Sequence, residues 1–258
     1  MLRLATLTSL LALAAAATMA EEIKVGVSPG EHAEIMEEVA KVAAPMGLDI
    51  DVVEFSDYVI PNTALADGDI EANSFQHVPY LDNQMKDRGF DLVVVGTTIT
   101  TPMGIYSDKI DDLATLEDGA KVAIPNDPTN GGRALLLLQD LGLVTLTDGT
   151  GLVPSPLDIE ENPKGLKFLE LDAAQLPRTL ADADIAIINT NYAIASGLSP
   201  KDDAIAMEKA ENPYVNVIVV RKGDEDQPWV KTLVDAYHSD EVKAFIDNSY
   251  HGAVITSW

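Results

Sequence analysis

The sequence contains no cysteine. Disulfides, thiolate metal centres and cysteine nucleophiles are excluded together, and no thiol stands near the N-terminus to carry a lipid. Cations are also scarce, with 17 Lys and Arg against 42 acidic residues and a formal net charge of −25. An excess of that sign repels nucleic acid and anionic membrane surfaces, so neither is expected as a partner. Aromatics make up only 5 % of the chain, which makes any local gathering of them informative. The four histidines, His32, His77, His238 and His251, lack the His-Glu-x-x-His spacing of a zinc site. The reading assigns no nucleophile elbow, dinucleotide loop, catalytic residue, metal or cofactor. With so many carboxylates, chance pairs carry no weight as acid/base machinery. An exported hydrolase stays as the alternative of another class, because catalytic residues need not form local motifs.

Export itself is suggested by the first twenty residues. They carry one cation, Arg3, then an apolar run from Leu10 to Ala17 and small residues up to Ala20. This is the layout of a cleavable secretory signal, and the run is shorter than the ~20 residues that span a bilayer. Cleavage after Ala20, with no cysteine to acylate, predicts a periplasmic protein free of a lipid anchor.

From Glu21 onward the chain alternates β-rich runs with helically spaced apolar residues, the pattern of an α/β protein. Strands are expected at Ile23–Val27, Asp49–Phe55, up to Asn73, at Leu92–Val95, Lys121–Ile124, Leu166–Leu171 and Asp184–Ile188. Helices are expected at Glu31–Met46, from Pro61 towards Ala66, and at Gln76–Asp87, Gly132–Leu141, Leu176–Asp182, Trp229–Tyr237 and Glu241–Asn248. The β-branched run Leu92–Val95 reads as a strand buried on both faces. Met103–Ser107 and Val215–Arg221 read as paired crossover strands of a hinge between two lobes. The expected division is a signal at 1–20, a first lobe at 21–105, a second at 106–217 and a return to the first at 218–258.

Three clusters stand where strands meet helices, the places where open α/β sheets expose their ligand loops. Tyr58, Phe75, His77 and Tyr80 bring aromatics together with the amides around them, which suits a small amphipathic solute, and a thioether gains against ring edges. The stretch Pro125-Asn126-Asp127-Pro128-Thr129-Asn130-Gly131-Gly132-Arg133 opens a helix with free N–H groups and two glycines. It lacks the Gly-Lys-Ser/Thr ending of a phosphate loop, and Arg133 with Asn130 suits a small carboxylate held bidentately. Asn189 and Asn191 offer amide oxygens that could receive an α-ammonium group. Against each functional reading stands a plain one: rings in the core, Asn or Thr capping a helix, Arg133 on the surface.

These words also resemble a known family, the methionine-binding components of ABC importers grouped with the NlpA-type lipoproteins. The matching words are Asp57-Tyr58-Val59 with Pro61-Asn62, Phe75-Gln76-His77 with Pro79-Tyr80-Leu81, and Pro125-Asn126-Asp127-Pro128-Thr129-Asn130 with Gly132-Arg133. Asn189 with Tyr192-Ala193 and Asn212-Pro213-Tyr214-Val215-Asn216 extend the similarity over the mature chain. The resemblance implies a two-lobed, type II-like periplasmic-binding-protein fold, each lobe a mainly parallel sheet flanked by helices. It implies L-methionine in the interlobe cleft, the permease and ATPase of an importer as membrane partners, and a monomer. Tyr58, Phe75, His77 and Tyr80 would surround the thioether, Arg133 would hold the carboxylate, and Asn130 and Asn189 the polar end, with Asn191 beside them. D-methionine, a methionine-containing dipeptide or another small apolar amino acid are the alternative ligands. Family members are commonly lipoproteins, and the absent cysteine departs from that pattern.

Overall fold

A computed structural model describes residues 20–258. The signal-peptide reading falls on residues 1–19, outside the described ones, apart from the exposed Ala20. The chain opens with β1 (Glu21–Val27), α1 (Glu31–Ala43), β2 (Leu48–Glu54), α2 (Ile60–Asp67), β3 (Ala72–His77), α3 (Val78–Arg88) and β4 (Leu92–Thr100). A second group follows, with β5 (Gly104–Tyr106), β6 (Lys121–Pro125), α4 (Pro128–Asp140), β7 (Thr145–Leu146), β8 (Ile159–Glu161), β9 (Lys167–Leu171), β10 (Ile185–Ile188), α5 (Thr190–Ala195) and β11 (Ala206–Met207). It ends with β12 (Val215–Arg221), α6 (Pro228–Tyr237), α7 (Asp240–Tyr250) and β13 (Ile255–Thr256).

Two sheets form, ordered β13-β4-β12-β3-β1-β2 and β11-β5-β10-β6-β9, beside a short β7-β8 ribbon. In the first, β1 to β4 share one direction and β12 and β13 oppose them; in the second only β5 opposes the rest. Both sheets are covered on two faces. Along β12, Ile218 and Val220 face the core under α1, α6 and α7, while Val217 and Val219 pack with Leu65, Ile70 and Leu81 on the other side. That alternation follows from the two-residue period of a strand. The second lobe divides likewise, with Ile185 and Ile187 against Leu135 and Leu138 of α4, and Ala186 and Ile188 against Leu176 and Tyr192.

Several expectations change. Met103–Ser107 and Val215–Arg221 do not pair with one another. β5 joins the second sheet through β10 and β11, and β12 inserts between β3 and β4 of the first. The two passages between sheets are the neighbouring stretches 101–103 and 208–214, so Val215 and Asn216 belong with the first sheet, paired to Thr100 and His77. Leu92–Val95 is not buried on both faces: Val94 is exposed, and β13 pairs only with Ile99 and Thr100, so the start of β4 is also an edge. The helix expected at Leu176–Asp182 is a 3-10 segment, Ala173–Thr179, with Pro177 inside it. A proline there removes an amide donor and disfavours the α-helical continuation. The helix expected from Gly132 begins four residues earlier, capped by Asp127, and Gln76 ends in β3 rather than starting α3.

Leu233, fully buried in α6 against α1 and the sheet, should cost about 2–5 kcal/mol when replaced by Ala. Urea denaturation of Leu233→Ala measures this, and a loss under 1 kcal/mol would contradict the packing described.

Candidate functional site

The first wall of the site is the end of β3 with its flanking loops. His77 closes the strand in an extended conformation and caps α3, its Nδ1 accepting the Tyr80 N–H at 3.1 Å. Because Nδ1 is an acceptor, the ring proton sits on Nε2, which donates to Asn130 Oδ1 at 3.3 Å. Burial, assisted by the charge of Arg133, lowers the imidazole pKa to about 3, so His77 is neutral. Tyr58, Phe75 and Tyr80 meet pairwise at centroid separations of 6.0 to 6.1 Å in tilted or edge-on geometry. Their loop is locked from behind by amides. Asn62 and Gln76 exchange two hydrogen bonds of 2.8 and 2.7 Å, and Asn73 donates to Asn62 Oδ1. All three are buried. His77 is buried, and Phe75 and Tyr80 are at once part of the core, as the plain reading has them, and part of the cavity lining.

The second wall is the start of α4 and of α5. The free N–H groups expected to receive an anion are already used: Asp127 Oδ1 accepts from the backbone of Thr129 and Asn130. The cap is therefore aspartate, not Asn or Thr. The two glycines do not admit a ligand either. A Cβ on Gly131 would lie 2.7 Å from the Pro125 carbonyl, and one on Gly132 would meet the backbone of Leu152 and Val153 within 3 Å. Both serve close packing of α4 against its own chain. Asn130 is held by Asp127 through Nδ2 and receives His77 and the Asn189 amide, at 2.8 Å, on Oδ1.

Arg133 is 2 % exposed and is held differently from the expected free fork. Its Nε and Nη2 donate side-on to the Glu208 carboxylate, and Nη2 also reaches the Thr101 carbonyl at 2.8 Å. Its Cζ lies 4.3 Å from the centre of the Tyr214 ring. The bidentate edge assigned to a ligand carboxylate is thus filled by a protein carboxylate, and Nη1 alone has no hydrogen-bond partner among the described residues.

The walls meet across the cleft. Tyr58 donates its hydroxyl proton to Asn191 Oδ1, Tyr192 donates to the Ser56 carbonyl at 3.2 Å, and His77 joins Asn130. Gly30, at φ +84°, lies so close to the Asn191 backbone that a Cβ would come within 2.5 Å of its carbonyl oxygen. Between the walls is a narrow cavity, partly open to solvent, bringing together Tyr58, Phe75, His77, Tyr80, Asn130, Arg133, Asn189 and Asn191. All eight residues singled out in the sequence line it. Asn189 stands at the cap position of α5 without capping it, and its Oδ1 is buried with no partner; Asn191 Nδ2 is in the same condition. One unmatched acceptor and one unmatched donor therefore share the cavity with a guanidinium.

Sequence reasoning missed His32, Gln76, Thr101 and Asn216 in the lining, and Glu208 and Tyr214 around Arg133. The Asn-Pro-Tyr-Val-Asn word at 212–216 carried the signal for two of them. It also passed over Gly26-Val27-Ser28-Pro29-Gly30, which has the Gly-x-Ser-x-Gly spacing and stands at a strand-to-helix turn. Ser28 Oγ is fully buried and neither it nor His32 Nδ1 has a hydrogen-bond partner, so no nucleophile–base pair is formed there.

The same corner holds a protonated carboxyl. Glu31 is fully buried with both oxygens unpartnered, and burial raises its pKa to about 8, while burial lowers that of His32 to about 4.

Comparison with known proteins decides the relationship. The model of the family described as NlpA lipoprotein matches residues 23–258. This chain belongs to the NlpA lipoprotein family. The D-methionine-binding lipoprotein MetQ of Escherichia coli K12 is 53 % identical over 239 residues, covering 92 % of this chain and 88 % of that protein. A nutrient binding protein from Burkholderia cenocepacia bound to methionine superposes with a TM-score of 0.90 at 54 % identity, over 92 % of this chain and all of that one. An ABC transporter periplasmic substrate-binding protein from Coxiella burnetii gives 0.88 at 47 %, covering 91 % and 100 %. The two-lobed fold expected from the sequence is that of these proteins. The comparisons overturn one expectation, the periplasmic protein free of an anchor: the family and its named members are lipoproteins, which supports an extracytoplasmic location but not freedom from the membrane. The chain itself contains no cysteine.

The buried titratable groups give a test with a definite sign. Between pH 6.5 and 8 folded Glu31 holds a proton that the unfolded chain has lost, so stability falls as pH rises. His32 and His77 act the other way below 6.5, since only the unfolded chain takes up their protons until pH approaches 4 and 3. Glu31→Gln should flatten the decline from pH 6.5 to 8 in urea midpoints and steepen the rise with pH between 4.5 and 6.5, where Glu31 opposes the two histidines. An unchanged alkaline slope would place a charged carboxylate at Glu31.

Proposed function

We propose that the cavity captures methionine and that the closed form is delivered to the permease and ATPase subunits of an ABC importer. The observation that carries this reading is the mixed lining of the cavity: the rings of Tyr58, Phe75, Tyr80 and the neutral His77 share it with the Arg133 guanidinium and with Asn191 and Asn189, whose Nδ2 and Oδ1 are buried and unmatched. A thioether packs favourably against ring edges. A carboxylate would take the two donors and an α-ammonium the acceptor, removing the cost of leaving buried polar atoms unpaired. The names of the relatives, which bind D-methionine or were found with methionine, agree with it.

L-methionine is the leading ligand, and D-methionine the second reading because the relatives carry that name. On this reading the chain performs no catalysis, works as a monomer and uses neither cofactor nor metal. Ligand binding would shift the population towards the closed arrangement, whose interlobe contacts are described above.

Calorimetry on refolded, ligand-stripped protein with L- and D-methionine, methionine-containing dipeptides and other apolar amino acids tests this. Tight binding of one methionine form is expected, and no binding across all of them would sink the proposal. Arg133→Ala should lose about 2–5 kcal/mol of affinity, since a buried charge pair is broken on one side. Near-native affinity in that variant would mean that the carboxylate is held elsewhere.

A further inference from the structure

Arg133 is a permanent cation almost wholly withdrawn from water, and its counter-ion is a residue that no sequence pattern connects to it. Glu208 is not a mobile group that happens to lie nearby. Its own N–H donates to the Met103 carbonyl at 2.9 Å, its carboxylate accepts the Met103 N–H at 3.2 Å, and Asn212 Nδ2 reaches the same oxygen at 3.3 Å. Met103 lies in one passage between the lobes and Glu208 in the other, so the carboxylate is anchored where the two passages run side by side. Arg133 enters that anchorage by Nε and Nη2, and Tyr214 and the Thr101 carbonyl fix the plane of its guanidinium. What remains for a ligand is Nη1, presented in one direction.

The pairing also fixes the charge of the cavity. Among the lining residues, His32 and His77 are neutral through burial, and Glu31 behind them is protonated at neutral pH. Asp127 faces the outer groove beside Asp57 and Asp172 rather than the cavity, its carboxylate taken up by Thr129 and Asn130. Arg133 is then the charge in the lining itself, and Glu208, in contact with it, cancels it. An occupant with a net charge would upset that balance in a region poor in water, whereas a zwitterion would not.

We propose that Glu208 is a positioning residue that holds Arg133 by its side-on edge and, by cancelling its charge, makes the site select zwitterions over anions or cations bearing the same side chain. The inference rests on the methionine reading given above.

Three probes with one side chain test it: methionine, N-acetylmethionine as the anion and methionine amide as the cation, measured by calorimetry on the wild-type chain, Glu208→Gln and Glu208→Asp. In Glu208→Gln the affinity ratio of anion to methionine should rise about tenfold and that of cation to methionine should fall about as much. A purely structural role would move all three affinities by one common factor, and that result would overturn the proposal. Glu208→Asp keeps the charge one methylene further back, so both ratios should stay within about threefold while methionine itself weakens about tenfold. Wild-type methionine affinity in Glu208→Asp would overturn the positioning role even if Glu208→Gln does not fold. Failure of the methionine reading is distinguishable, because it shows as absent methionine binding to the wild-type chain.

Discussion

A guanidinium cannot be taken out of water without partners, and the placement of Arg133 organises what surrounds it. Removing such an ion from solvent is costly unless its charge is matched and its donors are used. Here the match comes from Glu208, the flat face is covered by Tyr214, and one Nη2 donor goes to the Thr101 carbonyl. Thr101, Met103, Glu208, Asn212 and Tyr214 all belong to the two passages between the sheets. The cation therefore fastens α4 of the second lobe to the joint about which the lobes are arranged. A site assembled from both lobes needs such a fixed point, since a cation that wandered with either lobe would define neither orientation nor charge.

Away from that joint, the contacts closing the cleft are neutral. Tyr58 with Asn191, Tyr192 with the Ser56 carbonyl and His77 with Asn130 are hydroxyl, amide and imidazole bonds. Each is worth about 0.5–1.5 kcal/mol net of what water would offer. Such contacts suit a cleft that must open again, because water replaces them at little cost. An ion pair at the same position would hold more tightly only where water is excluded. The division of labour follows: charge at the joint, neutral hydrogen bonds at the lips.

Much of this was legible in the sequence, and the parts that were not share a cause. The α/β alternation and the gathering of Tyr58, Phe75, His77 and Tyr80 in a chain poor in aromatics are local signals, and the cavity contains all of them. Asn189 was equally visible as the residue between an apolar strand and a helix, although only the structure separates a cap from a ligand contact. Glu208 lies 75 residues from Arg133, one acidic residue among 42, and nothing in the spacing couples them. The same limit misplaced β12: the run Val215–Arg221 reads as a strand, but which sheet accepts it depends on pairings to Thr100 and His77 far away in the chain. At the start of α4 the failure was one of competition. Free helix N–H groups attract an anion, and Asp127, adjacent in sequence, is the anion that takes them.

The neutral state of His77 ties the rings of the cavity to its charged group. Its Nδ1 must accept from Tyr80 for α3 to be capped, and its Nε2 proton must point at Asn130 for the lobes to meet. A second proton would fill the Nδ1 lone pair, break the cap, and place a like charge near Arg133 across the ring of Tyr214, which contacts both residues. Burial holds the imidazole in its uncharged form, and the Arg133 cation reinforces it. An occupant beside His77 then meets a ring rather than an ion.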